Sequence, residues 1–508
     1  MAGPLKVDIY SHGVRLHGLA PDQFERLRPL IQDLEIRENV SKFDPQQRRV
    51  VETVEVKKRF YITTADNTEL FVHKHVWPQV KEYLASVGLS NTEEIEIPAY
   101  EGYPAKFEIA NLVPRDYQQG IIDAIASDTH TTGVKLQTGK GKTFCSQAGM
   151  VQRGVRTAVM VLPKYFGLWE KSFKELFEAN GYTMGVISGG QSLRNAIDQA
   201  RTDIASIPDI VIISSVTYRT YIEAYERHGM KGIGELGFQI PPWEFHKTLG
   251  IGLQISDEIQ DDPGLVYKID TVTNVKKHVY LSATPYTGND RLTEMINTML
   301  PKSLDAPIPE IDAYANVVGM FYSDDVRKKD YMGPKGYSQA IYEGKLLKNA
   351  KRFNVYKTMV RRVANKFFVS DRKEGQRLLI FCATVAFIEE LTDYLKKEFP
   401  DLAVNKYVSG VPYSTVLKSD ISVTTVKSAG AGVDIPNVRE LFLLDSRNSK
   451  KDNIQVLGRA RKLKDYPGVA PRLTYFACKQ IPQHVKYAIN KREYFHGRVL
   501  THGLMNYS

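Results

Sequence analysis

The sequence predicts an α/β protein in which two lobes are each built on a parallel sheet, preceded by a small α+β N-terminal domain. From about residue 112, short apolar runs rich in β-branched residues alternate with stretches of helical spacing. A second series of the same kind begins near residue 377. Apolar strands that alternate with helices are typical of parallel sheets covered by helices on both faces.

The N-terminal hundred residues have a different pattern. LKVDIYSHGVRLHG alternates like paired strands, and PDQFERLRPLIQDL carries its apolar residues at helical spacing. Two further strands are predicted at VETVEVKKRFYITT and ELFVHKH, followed by a helix that ends at Gly88. We therefore predict a separate α+β domain over residues 1–100. Two roles stay open for it: to bind DNA, or to shape the cleft of the lobes that follow.

The two α/β series define the lobes. The first lobe is predicted over 101–300, with strands at GVKLQT, RTAVMVLP, DIVIISS, IGLQIS and KHVYLSA. The second is predicted over 361–508, with strands at RLLIFCA, NKYVSG, DISVTTV, ELFLLDS and RLTYFAC. Residues 301–360, rich in Tyr, Lys and Pro, are predicted to connect them, and the C-terminal tail is predicted to pack as a helix across the lobes.

Composition limits the class of protein. The chain has 508 residues and a net charge of +10, which is compatible with a polyanionic partner. No apolar run is long enough for a membrane span, and Met1–Tyr10 is too polar for a signal peptide. The three cysteines lie far apart, as expected of free thiols in a reducing compartment. We expect a cytoplasmic monomer.

The stretch QTGKGKTF, residues 137–144, lies between a predicted strand and a predicted helix. Glycines at such a turn let backbone N–H groups approach phosphate, and the helix dipole adds to the attraction. The order of residues predicts a P-loop for ATP, with Lys142 on the β- and γ-phosphates and the Thr143 hydroxyl on Mg²⁺. The predicted loop consists of Thr138, Gly139, Lys140, Gly141, Lys142 and Thr143.

Two adjacent acids follow the apolar strand in QISDEIQDD, residues 254–262. On their own they could be the start of a solvated loop. A P-loop ATPase needs one acid to hold Mg²⁺ and a second group to orient the attacking water. Asp257 is predicted to fill the first role and Glu258 the second.

The order of these and later motifs resembles superfamily 2 helicases and translocases over about 112–465. The stretches concerned are VPRDYQQGIIDAI, VLPKYFGLWEKSF, VIISSVTY, DEIQ, LSATP, LLIFCATVAFIEEL, YVSG, TTVKSAGAGVDIPNV and IQVLGRARKL. The resemblance implies two RecA-like lobes that clamp ATP. It also implies adenine recognition by Arg115, Tyr117 and Gln118, and coupling of hydrolysis to nucleic-acid grip through Gln260, Ser282 and Thr284.

In the second lobe the resemblance implies that Gly432 and Asp434 contact nucleotide and that Gln455 senses it. Arg459 is the first candidate for a cation on the transferred phosphoryl group. The family pattern places its last arginine where this chain has Lys462, with Arg461 one residue earlier. Because lysine is a point charge and arginine a bidentate fork, either Arg461 or Lys462 could take that role.

The resemblance also implies that the motor follows one strand through phosphate contacts. The candidates by position are Lys164, Ser215, Thr217, Ser409 and Thr425. Residues 321–353 interleave Tyr with Lys and Arg. They are predicted either to form a DNA-gripping hook on the second lobe, with aromatic rings stacked on unpaired bases, or to be an interdomain linker with a solvated basic helix.

The N-terminal pattern, leading directly into RDYQ, resembles the phage UvsW-type helicases. This resemblance implies an ATP- and Mg²⁺-dependent DNA helicase that unwinds or branch-migrates forks, four-way (Holliday) junctions and R- or D-loops in phage recombination, repair and replication. Three alternatives stay open: a duplex DNA translocase or restriction-type subunit, an RNA helicase, and a silent binding protein on a helicase scaffold. The presence of Lys142, Asp257, Glu258 and Arg459 argues against the last.

Overall fold

A computed structural model describes residues 4–44, 49–108, 113–137, 139–179, 181–283, 290–309, 313–334, 336–429, 435–463 and 465–507. Side chains are described except between 39 and 53 and at 57 and 290. The chain divides into two compact units, Met1–Leu136 with Gly141–Pro309, and Gln137–Lys140 with Glu310–Ser508. Among the described residues, no helix is both long and apolar enough to cross a membrane.

The first unit begins with a mixed sheet of its own, in the order β5-β6-β2-β1-β7, and a separate ribbon of β3 and β4. On one face of the mixed sheet, its hydrophobic residues pack against the helices α1 and α2. The elements are β1 (Leu5–Ile9), β2 (Gly13–His17), α1 (Pro21–Asp33), β3 (Glu35–Asp44), β4 (Arg49–Arg59), β5 (Ile62–Thr63), β6 (Glu69–His73), α2 (Trp77–Ser86) and β7 (Thr92–Glu96). These residues fall in the same unit as the parallel sheet that follows, although they form a sheet apart from it.

The parallel sheet of the first unit has six strands in the order β10-β11-β9-β12-β13-β8. Its inner strands are buried along their whole length, as expected when helices cover both faces. The elements are α3 (Asp116–Ala126), β8 (Thr131–Val134), α4 (Lys142–Arg153), β9 (Thr157–Val161), α5 (Phe166–Leu176), β10 (Met184–Ile187), α6 (Gly190–Thr202), β11 (Ile210–Ser214), α7 (Ser215–Glu235), α8 (Phe245–Leu249), β12 (Leu253–Ser256), α9 (Pro263–Thr271), β13 (Lys277–Leu281) and α10 (Asp290–Met299).

The second unit is built on seven parallel strands in the order β18-β19-β17-β20-β21-β14-β22. The elements are β14 (Asn316–Tyr322), β15 (Met332–Gly333), β16 (Gly336–Tyr337), α11 (Gln339–Leu347), α12 (Ala350–Phe367), β17 (Arg377–Cys382), α13 (Val385–Glu398), β18 (Val404–Tyr407), α14 (Tyr413–Leu417), β19 (Ile421–Thr425), α15 (Val426–Ala429), β20 (Val438–Leu443), α16 (Lys450–Leu457), β21 (Arg472–Cys478), α17 (Pro482–Phe495) and β22 (Thr501–Asn506). The two parallel sheets confirm the predicted α/β class.

Two segments differ from the prediction. Part of the predicted connection 301–360 is strand β14, which pairs with β21 and β22 inside the second sheet. The tail was expected to pack as a helix across the lobes. It forms the helix α17 and then adds the edge strand β22. Both differences have one cause, because a strand that pairs with distant residues leaves little local signal.

Candidate functional site

The predicted phosphate loop lies between β8 and α4. Gly139 and Gly141 adopt positive φ angles of 83° and 87°, a region that strains any residue with a side chain. Gly141 is the residue that caps α4, so Lys142 opens the helix. Lys140 lies between the two glycines, and Thr138 lies outside the described residues. The turn therefore combines flexible backbone with a helix N-terminus, the combination that suits phosphate.

The residues expected to recognise adenine surround the start of α3. The Gln118 side chain is buried and accepts a hydrogen bond from the Arg115 backbone N–H at 2.9 Å. The Arg115 guanidinium donates to the Tyr117 hydroxyl at 3.1 Å. A Cβ added to Gly141 would lie 2.5 Å from the Gln118 amide nitrogen. The structure therefore brings Gln118 against the phosphate loop.

Lys142 forms an ion pair with Glu258, the acid predicted to orient water. Its ammonium lies 3.0 Å from a carboxylate oxygen of Glu258, and both side chains are largely buried. Burial acts to lower the pKa of Lys142, but the carboxylates of Glu258 and Asp257 outweigh burial and raise it. The lysine is thus held in its charged form at the end of β12, the form that phosphate binding needs.

Both carboxylate oxygens of Asp257 accept hydrogen bonds. Its Oδ1 accepts the backbone N–H of Glu258 at 2.8 Å, and its Oδ2 accepts the indole N–H of Trp169 at 3.1 Å. Burial raises the pKa of Asp257 to about 6, with Lys142 lowering it and Glu258 adding to the rise. The contact of Trp169 with Asp257 was not predicted. The available signal was a tryptophan in the helix after β9, since a buried indole N–H needs an acceptor.

A chain of polar side chains leads from Glu258 to the predicted coupling residues. The Gln260 amide donates to Glu258, and its carbonyl oxygen accepts from the Ser282 hydroxyl at 2.6 Å. Glu258 itself has a φ of 50°, which is unusual for a residue with a side chain and is typical of functional sites. Thr284 lies outside the described residues. The structure therefore joins Gln260 and Ser282 to the acid pair.

The donor set around Lys142 fits a magnesium ion. Mg²⁺ prefers carboxylate, hydroxyl and water oxygens, and the site offers the Asp257 carboxylate and the hydroxyl of Thr143 in the first turn of α4. Asp257 is half-buried, and its two hydrogen bonds leave further lone pairs on its carboxylate oxygens. These residues are the ones that would hold the ion.

Two of the three candidates for nucleic-acid contact in the first unit, Lys164 and Thr217, already have partners within it. Lys164 is exposed but pairs with Asp261 at 2.7 Å, and the Tyr165 hydroxyl donates to the same carboxylate at 2.8 Å. The Thr217 hydroxyl accepts from the Gly189 backbone at 2.8 Å. At the start of α7, the buried Ser215 hydroxyl has no hydrogen-bond partner within the described part of the chain.

The candidates in the second unit lie on separate elements. Ser409 is exposed in the loop after β18, and Thr425 ends β19, where its hydroxyl contacts Ser428 at 3.0 Å. Gln455 is half-buried on α16. The basic residues follow in the turn after that helix: Arg459 is buried, Arg461 is half-buried and Lys462 is exposed. Gly432 and Asp434 lie outside the described residues.

The predicted hook at 321–353 is instead largely part of the core of the second unit. Tyr322, Tyr331 and Tyr342 are buried in its largest hydrophobic cluster. Arg352 pairs with Asp324 at 2.8 Å and with Asp330 at 3.1 Å. Because the buried rings are not available to stack on bases, the hook interpretation is wrong for these aromatic residues. The alternative, an interdomain linker with a solvated basic helix, does not describe the segment either, because β14 pairs inside the second sheet and residues of α11 and α12 are buried in the core.

Comparisons with solved structures give distant likenesses. Saccharomyces cerevisiae Dbp5 bound to RNA and ADP BeF3 is 13% identical with a TM-score of 0.48, over 77% of this chain and 90% of that one. Mycobacterium smegmatis helicase Lhr, bound to ssDNA and AMP-PNP, is 16% identical with a TM-score of 0.47, over 77% and 49%. A putative HsdR subunit of a type I restriction enzyme from Vibrio vulnificus is 13% identical with a TM-score of 0.48, over 96% and 82%. No protein-family model and no curated protein matches the sequence.

Proposed function

We propose that this chain is an ATP-dependent motor that unwinds or branch-migrates forked DNA, four-way junctions and R- or D-loops. The single observation that carries the proposal is the pairing of Lys142 with Glu258 beside Asp257, at the end of a parallel strand and against a glycine-rich helix start. A lysine, a metal-binding acid and a second acid in this arrangement are what phosphoryl transfer from ATP requires.

The residues of the site suggest how hydrolysis proceeds. When ATP enters, the Lys142 ammonium exchanges its carboxylate partner for the β- and γ-phosphates. Glu258 is then released to orient water and to take its proton. Mg²⁺, when bound with ATP, neutralises charge on the phosphates. The Gln260–Ser282 hydrogen bond makes the position of Glu258 sensitive to the segment after β13. This link is our proposed route from hydrolysis to nucleic-acid grip.

The remaining cation in this proposal comes from the sequence resemblance. Arg459, with Arg461 or Lys462, stabilises charge on the transferred phosphoryl group. Gln455, Gly432 and Asp434 complete the nucleotide contacts that the sequence resemblance implies. The assignment of DNA as substrate rests on that resemblance and on the net charge of +10, which favours a polyanion. Roles in phage recombination, repair and replication rest on the same resemblance.

The test is ATP turnover and strand-product formation on a synthetic four-way DNA junction, beside single-stranded DNA, duplex DNA and RNA. We expect junction-stimulated turnover with fork-shaped products. Lys142→Ala should remove turnover by weakening nucleotide binding. Glu258→Gln should keep nucleotide binding and reduce turnover by about 10²–10⁴-fold.

Each of the other possible results would indicate a different function for this chain. Turnover stimulated only by RNA would make the chain an RNA helicase. Turnover on duplex without strand products would make it a translocase. Absence of turnover in the wild-type protein on every substrate would contradict the proposal as a whole.

A further inference from the structure

A buried tryptophan is hydrogen-bonded to the acid proposed to hold magnesium. Trp169 has none of its surface exposed, and its indole N–H donates to Asp257 Oδ2 at 3.1 Å. A buried indole N–H that lost this acceptor would be left unsatisfied, so the bond restrains the rotation of the carboxylate. The opposite oxygen is restrained by the backbone N–H of Glu258 at 2.8 Å.

The sheet topology explains why this tryptophan reaches this acid. Strand β9 pairs in parallel with β12, with Met160 opposite Ser256, so the two strands end side by side. Helix α5 follows β9 after a short turn, and Trp169 lies in its first half. The indole is thereby placed over the end of β12, where Asp257 begins the acidic segment.

The helix that carries Trp169 is itself held in place from two directions. The Trp169 ring packs against Phe173 one turn later, with ring centroids 5.6 Å apart. The Ser172 hydroxyl donates to the Gln147 side chain at 3.1 Å, which ties α5 to α4. Thr143 lies on α4, and Asp257 is bonded to Trp169 on α5. The tie between the two helices therefore also links the two residues that fit the metal.

We propose that Trp169 is a positioning residue that orients the Asp257 carboxylate toward the magnesium ion of the bound nucleotide. This inference rests on the proposed function, because it assigns a role within the same ATP site. Groups that hydrogen-bond to a metal-binding carboxylate fix its direction, and their loss commonly weakens metal affinity by about 10–100-fold. Trp169 contributes its N–H to the acid and, being fully buried, has no exposed surface that could contact a nucleotide.

The experiment measures metal binding directly on the full-length chain. Mn²⁺, as a spectroscopic substitute for Mg²⁺, is titrated into the protein with saturating ADP, and the free ion is followed by electron paramagnetic resonance. Trp169→Phe removes the indole N–H and keeps an aromatic six-membered ring at this position. We expect Mn²⁺ affinity to fall about tenfold, while ADP binding without metal stays within about twofold, since no nucleotide contact is removed.

A matched control separates the hydrogen bond from the packing. Phe173→Leu disturbs the same aromatic pair and leaves the indole N–H in place, so Mn²⁺ affinity should be unchanged even if thermal stability falls. A second readout is the Mg²⁺ dependence of ATP turnover. In Trp169→Phe, raising Mg²⁺ should restore the maximal rate, which a damaged fold would not allow.

The outcomes are distinguishable. If wild-type protein binds ADP and Mn²⁺ but Trp169→Phe binds Mn²⁺ equally well, this inference is wrong and the proposed function stands. Equal loss of Mn²⁺ affinity in Phe173→Leu would also overturn it, because packing and not the N–H would be responsible. If wild-type protein binds no nucleotide, the proposed function fails first.

Discussion

At the scale of single residues, the proposed phosphate loop contains two glycines, Gly139 and Gly141, that no other residue replaces without strain. Gly141 combines a φ of 87° with a close neighbour, the amide nitrogen of Gln118. Glycine spacing and the Lys-Thr pair are local signals, so the sequence predicts a turn between a strand and a helix at this place, and the structure has such a turn between β8 and α4. It could not predict that Gln118 packs on the glycine, since the two are joined only through tertiary structure.

Gly141→Ala is expected to abolish nucleotide binding while the protein remains folded. The added Cβ would meet Gln118 at 2.5 Å and would force a left-handed backbone on alanine. Binding of a fluorescent ADP analogue measures the effect. Gly167→Ala is the control, because a Cβ there meets nothing within 4 Å in helix α5. Nucleotide affinity in Gly141→Ala equal to that of the control would contradict this account of the loop.

At the scale of elements, the helices of the second unit are joined by a buried carboxylate. Glu343 on α11 accepts the backbone N–H groups of Ala383 and Thr384, each at 2.8 Å. It also accepts the Thr384 hydroxyl at 2.7 Å. Burial raises the pKa of Glu343 to about 7, against these hydrogen bonds, which lower it. Thr384 is the N-cap of α13, so α11 holds the start of that helix.

Glu343→Gln should lower the free energy of unfolding of this unit by about 1–3 kcal/mol, because one amide nitrogen would then face backbone donors. Hydrogen-exchange protection of the α13 amides measures the change. The control is Glu389→Gln on α13 itself, an exposed residue paired with Lys406, where the expected change is about 0–1 kcal/mol. Equal protection in the two variants would rule out the proposed role of Glu343.

At the scale of the whole molecule, the N-terminal sheet is attached to the first parallel sheet through buried histidines. His73 and His278 each lie 2.6 Å from a carboxylate oxygen of Asp270. His12 is buried beside them, with its ring nitrogens near the Ser11 and Thr131 hydroxyls at 2.8 and 3.2 Å. Burial lowers the pKa of His12 to about 3, although Asp270 opposes the shift and His278, His73 and His130 add to it.

Acidification should therefore destabilise the first unit. Because the folded-state pKa of His12 lies below its usual 6.5, the unfolded chain binds the proton first. The contribution of His12 to the free energy of unfolding is fully present above pH 6.5 and is lost as the pH falls toward about 3. The loss is about 1.4 kcal/mol for each pH unit between the two pKa values. The pKa of Asp270 is held well below its usual 3.8: burial raises it, but the histidines outweigh burial. The contribution of Asp270 to stability is therefore lost only as the pH falls below its usual pKa of 3.8.

Urea unfolding followed by tryptophan fluorescence measures this effect, since all three tryptophans lie in the first unit. His12→Asn should be less stable at neutral pH and should lose less stability on acidification than wild type. His228→Asn, at an exposed position of α7, controls for the loss of a histidine. An unchanged pH dependence in His12→Asn would contradict the assignment.

The α/β class could be read from the chain alone. So could the glycine-rich turn between a strand and a helix, and the position of the two acids at the end of a strand. Each depends on residues that are neighbours in sequence: apolar runs, glycine spacing, and acids that follow a strand. The contact of Trp169 with Asp257 and the link from Gln260 to Ser282 could not be read in this way. The strands β14 and β22 were missed for the same reason. These features depend on which strands lie side by side, and strand order is decided by long-range pairing and burial that leave no local pattern.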